Sequence, residues 1–65
     1  DVVKLLVTRF EQAIEDKELP KGTEVKELAR FYTTVLQGMA VQSAGGTSPK
    51  ELKGIAKRAL SILPA

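Results

Sequence analysis

One stretch, Glu24 to Ala44 (EVKELARFYTTVLQGMAVQSA), constrains the fold of this chain more than any other. Leu28, Phe31, Tyr32, Val35, Leu36 and Met39 recur at intervals of three and four, the spacing that keeps side chains on one side of a helix with about 3.6 residues per turn. Projected at the helical angle, the apolar and small residues from Phe31 and Gly38 round to Ala29 and Ala40 span an arc of roughly 200°. A surface helix needs only about half of that to meet a core. The surplus calls for a second layer, supplied by the rest of the chain, by a partner, or by both. Gly38 stands mid-helix, where glycine costs about 1 kcal/mol relative to alanine. Close approach of another backbone is its natural compensation, so this helix is expected to be the hub of a helix-helix interface.

Length sharpens the problem. A chain of 65 residues makes one small domain and buries only about 60% of the surface its unfolded form exposes. Small domains overcome that shortfall through disulfides, metals or oligomerisation. The chain has no cysteine and no histidine, which removes disulfides, thiolate metal sites and the commonest general base. Oligomerisation remains. The formal net charge of +2 is too small to name nucleic acid as a partner, and no apolar run approaches the roughly 20 residues of a membrane span. No signal-peptide pattern opens the chain, and a soluble, cytoplasmic protein is expected. The sequence starts at Asp1 without an initiator Met and enters a helical pattern at once, as a piece of a longer protein does.

Three helices are predicted, over about 2–18, 24–44 and 49–63, giving an all-α fold. In the first, Val3, Leu6, Val7, Phe10, Ala13 and Ile14 follow the helical stripe, and Asp1 lies at the positive end of the macrodipole. Leu5 falls off the stripe, where a further neighbour is expected. Pro20 and Gly22 end this helix. Thr23 is placed to cap the second, and Gly45-Gly46 ends it with one glycine in the left-handed region. Ser48-Pro49-Lys50-Glu51 is a capping box with proline at the first helical position. The third helix carries a stripe of Leu52, Ile55, Ala56, Ala59, Leu60 and Leu63, with Ile62 on its margin and Pro64 closing it.

The run from Leu28 to Leu63 resembles the last two helices of the tetracycline-repressor (TetR) family of transcriptional regulators. The matching elements are Leu28-Ala29-Arg30-Phe31, the Leu36-Gln37-Gly38-Met39-Ala40 centre, where the family often has Leu-x-Gly-Leu-Ala, the Ala44-Gly45 break and the capped final helix ending in Ala59-Leu60. Upstream, Ala13 to Pro20 resembles the family's Ala-x-x-x-Gly-Glu-Leu-Pro helix end, with Lys17 where glycine is commoner. The resemblance covers nearly all 65 residues.

It implies a homodimeric regulator, usually a repressor, in which the final two helices of each subunit pair as a four-helix bundle. Residues 1–65 are then part of the C-terminal effector-binding and dimerisation domain. The operator-binding helix-turn-helix is absent, as are the helices that form most of the effector pocket. Operator DNA would be bound only through that missing N-terminal domain, and a small-molecule effector by the complete protein. The expected dimer contacts are Phe31, Thr34, Val35, Gly38, Met39, Gln42, Ile55, Ala59 and Ile62. Periodicity alone leaves open whether the partner or the chain's own core covers Phe31, Val35, Met39 and Gln42. Phe10, Ile14 and Tyr32 are candidate walls of the effector pocket, with core packing the plainer role.

No enzyme, cofactor or metal is expected. Lys50, Lys53, Lys57 and Arg58 make a basic side on the third helix, read as a solvated face because no aromatic residues interleave and Glu51 interrupts it. Glu11, Glu15 and Glu18 are most simply exposed helix formers. The alternative to a regulator's dimerisation part is a free-standing three-helix module that docks a partner helix in a groove between Phe31 and Met39.

Overall fold

A computed structural model describes residues 1–63. It is all-α, with α1 Val2–Glu15, α2 Val25–Ala44 and α3 Pro49–Leu60, and no strand among the described residues. Pro64, expected to close α3, lies outside them.

Each helix begins and ends for a local reason. The Asp1 carboxylate accepts from the Lys4 backbone N–H at 2.9 Å and caps α1. Its C-terminus is a full Schellman closure: the Lys17 N–H donates to Ile14 O and the Glu18 N–H to Ala13 O. That closure puts Lys17 at φ +62°, the left-handed region. Helix α1 therefore stops at Glu15, before the Glu18 boundary expected from the sequence, because the chain turns at Lys17 ahead of Pro20. Leu19 then folds back and is buried. Helix α2 closes in the same way, with Gly46 at φ +98° and the Thr47 and Gly46 N–H groups donating to Gln42 O and Ser43 O.

Thr23 does not cap α2. Gly22 at φ +87° turns the chain so that both the Thr23 N–H and its hydroxyl donate to Pro20 O, the latter at 2.6 Å. The N-cap position falls to Glu24, which makes no side-chain capping bond. The capping box of α3 forms as expected: Ser48 Oγ accepts from the Glu51 N–H, and Glu51 Oε1 accepts from the Ser48 N–H. Helix α3 ends at Leu60 rather than Leu63. There the Ser61 hydroxyl donates to Arg58 O at 2.6 Å, competing with the backbone for that carbonyl, and the Leu63 N–H tightens onto Leu60 O.

Both α1 and α3 run antiparallel to α2 and pack on it, but not on each other. The stripe residues of α1, Val3, Leu6, Val7, Phe10, Ala13 and Ile14, are all half-buried, whereas Leu5 is 64% exposed. The enclosed positions are few: Ala29 has no exposed surface, and Ala59 and Leu19 are 8% exposed. The helices lie in one layer, with principal extents of 39 × 26 × 14 Å, the smallest close to the diameter of a single helix.

Lys17 is the strained point of this backbone. A left-handed conformation costs a side-chain-bearing residue about 1–2 kcal/mol, while glycine gives back about 0.4–1 kcal/mol through the freer unfolded chain. Lys17→Gly should therefore stabilise the fold by about 0.5–1 kcal/mol, a rise of several degrees in Tm for a domain of this size. A lower Tm by calorimetry would contradict the strain assigned to this turn.

Candidate functional site

Beside the scattered exposed side chains of Val2, Leu5 and Val41, two apolar regions stand out on this surface. The first is a face shared by α2 and α3. Phe31 is 40% exposed, and Thr34, Gly38 and Gln42 lie exposed on the same side of α2. Ile55 on α3 is 40% exposed, and Ile62, just past the end of that helix, is 57% exposed. Phe31 and Ile62 line one depression together with Thr23, Glu24, Glu27 and Leu28. A Cβ built on Gly38 meets nothing within 4 Å, so no neighbour within the chain accounts for a glycine there. The polar members of this face are tied locally, Thr34 Oγ1 to Arg30 O at 2.8 Å and Gln42 Oε1 to the Thr47 hydroxyl at 3.0 Å.

The second region is a cleft of about 370 Å³ between α1 and α3, with α2 as its floor. Leu6 and Phe10 form one wall, Ala56, Leu60 and Leu63 the other, and Tyr32, Val35, Leu36 and Met39 the floor. No charged side chain lines it. Leu36 and Leu60 remain 55% and 60% exposed at its rim.

The expected dimer contacts thus divide. Phe31, Thr34, Gly38, Gln42, Ile55 and Ile62 stand open on the first face, Val35 and Met39 are half-buried in the cleft, and Ala59 is buried by its own chain. Phe31 and Met39, expected to border one groove, belong to different surfaces. Of the candidate pocket walls, Phe10 and Tyr32 meet in the cleft, their ring centroids 6.0 Å apart at an interplanar angle of 44°. Ile14 does not join them; it lies beside Glu15, Leu19 and Pro20 at the far end of α1. Sequence reasoning passed over Leu36 and Leu60 as cleft residues, although Leu36 falls one turn from both Tyr32 and Met39.

Tyr32 joins the elements. Its hydroxyl donates to Ala59 O in α3 at 2.8 Å, and its ring packs against Phe10 of α1 and edge-on to Phe31 at 5.1 Å. Burial pushes its hydroxyl above the ordinary value of 10.0, because the phenolate would lose solvation. Lys50, Lys53, Lys57 and Arg58 are all exposed. Among the described residues, no group of acidic, Cys or His side chains could hold a metal ion, and no helix is long and apolar enough to cross a membrane.

Set against known proteins, the chain matches no family model, no curated protein and no solved structure.

A raised folded-state value has a definite sign: the stability that Tyr32 contributes is full below its unfolded value and is lost as pH climbs through the folded one. The difference in unfolding free energy between the parent and Tyr32→Phe should hold steady from about pH 6 to 9 and shrink above about pH 10. Denaturant titrations showing a pH-independent difference would refute the part-buried, donating hydroxyl.

Proposed function

We propose that this chain is the dimerisation part of the C-terminal domain of a TetR-like transcriptional regulator, in which α2 and α3 pair with the same helices of a second copy. The observation that carries this reading is surface. The folded chain exposes 5290 Å², whereas a compact monomer of 7.0 kDa exposes about 4,000 Å². Its radius of gyration of 13.2 Å exceeds the roughly 11 Å of a compact chain of this length. The excess, about 1,300 Å², is of the order that each partner contributes to a stable interface, about 800 Å². The open face of Phe31, Gly38, Ile55 and Ile62 offers an apolar seam on the two helices concerned.

Two further observations support the family reading. Lys17 adopts φ +62° at the position where the family commonly has glycine, the residue suited to that conformation. Gly38, at the family's central glycine, faces open space, as a residue reserved for a closely approaching partner does. On this reading the complete regulator is a cytoplasmic repressor. It binds operator DNA through an N-terminal helix-turn-helix and a small effector within its C-terminal domain, and it catalyses nothing.

Sedimentation equilibrium should find a dimer at micromolar concentration; a monomer persisting at several hundred micromolar would defeat the proposal. Gly38→Ala should raise helix stability in the separated chains by up to about 1 kcal/mol. Gly38→Leu should weaken association at least tenfold with unchanged far-UV circular dichroism. If Gly38→Leu associates as tightly as the parent, close approach at this glycine is wrong.

A further inference from the structure

The polar contacts of this fold are almost entirely local. Among the described residues, each side-chain hydrogen bond other than that of Tyr32 joins groups no more than five positions apart. The bond from Tyr32 Oη to Ala59 O crosses 27 positions at 2.8 Å and ties α2 to α3. Its placement sets it apart further. Ala59 lies one turn after Ile55 and three residues before Ile62, the two isoleucines of the open face. The Tyr32 ring meets Phe31 edge-on, the aromatic of the same face on α2. Apolar contact resists separation but tolerates sliding and rotation, because it is non-directional. A hydrogen bond to one carbonyl fixes the angle and register of α3.

We propose, building on the dimer reading, that Tyr32 is a positioning residue for self-association. Its hydroxyl, clasped to the Ala59 carbonyl while its ring steadies Phe31, sets α3 so that Ile55, Ile62 and Phe31 present one seam to a second copy of this chain. The hydroxyl itself does not enter the seam; it lies in the part-buried junction between α2 and α3. Its effect on association is therefore indirect, and it separates from a general loss of stability by where the fold loosens.

The test compares Tyr32→Phe, which removes one oxygen and keeps the ring, with Thr33→Val. The latter deletes a hydrogen bond of the same length on the neighbouring residue, from Thr33 Oγ1 to Ala29 O at 2.8 Å, without touching α3. Sedimentation gives the dimer dissociation constant, and amide hydrogen exchange, run below and above that concentration, gives local opening. Tyr32→Phe should weaken the dimer about tenfold and speed exchange of the Leu63 amide and the last turn of α3 by a similar factor, leaving the α1 amides unchanged. Thr33→Val should leave both the dissociation constant and the α3 amides as in the parent. An unaltered dissociation constant in Tyr32→Phe, or equal losses in both variants, overturns the proposal. A parent that never dimerises overturns the dimer reading and the seam with it. In that case, α3 exchange in Tyr32→Phe still judges the clasp: acceleration upholds it, and unchanged rates overturn it as well.

Discussion

Three helices in a single layer cannot surround a core, and that constraint governs the rest of this structure. Side chains from two layers must interdigitate to exclude water from both. Here α1 and α3 flank α2 without meeting, and the molecule is 14 Å through its thinnest dimension. The positions that do become enclosed are mostly small, Ala29 and Ala59, where backbones come close. Leu36, Ile55, Leu60 and Ile62, which would fill a core in a thicker fold, stay at least 40% exposed. With Phe31, Leu36 and Val41 of α2 at 40%, 55% and 70% exposed, its apolar excess is not absorbed within the chain.

Where that excess lies gives the surface its meaning. The chain's own neighbours occupy one arc of α2, leaving Phe31, Thr34, Gly38 and Gln42 open on the other, with Phe31 beside Ile62 just past the end of α3. A layer that buries itself on a copy of itself gains the second layer that each half lacks, with the same residues contributed twice around a twofold axis. The lysines of α3, Lys50, Lys53 and Lys57, fall on the far side from Ile55 by helical spacing, while Glu51 and Arg58 stand one turn from it at the rim of that edge. Tyr32 sits at the junction of all three helices, apolar body inward and oxygen spent on a helix carbonyl. An amphipathic aromatic suits that place because it gives both contact area and one directional bond.

Much of the backbone was legible in the chain. The α1 stripe, the Ser48–Glu51 capping box and the left-handed glycine after α2 follow from rules that act within five residues. The misplaced boundaries arose where a local competitor outbid the expected signal. Lys17 accepted a left-handed turn that its side chain disfavours, the turn at Gly22 aimed Thr23 at Pro20 O, and the Ser61 hydroxyl joined its own N–H on the Arg58 carbonyl where α3 ends. The candidate site was legible as a set of residues but not as surfaces. Phe31 and Met39 are eight apart and both apolar, yet line different surfaces of the folded chain, and Ile14 shares a stripe with Phe10 without sharing its cleft.

The sequence by itself therefore determined three helices, the capping box of α3, the glycine closure of α2, and the fact that α2 carries more apolar surface than one neighbour can cover. Hydrogen-bond closure and side-chain periodicity are properties of adjacent residues, readable along the chain. Only the tertiary structure decided which flank of α2 is covered by α1 and α3, that Ala59 is enclosed while Ile55 and Ile62 are open, and that Tyr32 ties α2 to α3 across 27 positions. Those outcomes depend on how whole helices cross and how far apart they sit, which no window of neighbouring residues encodes.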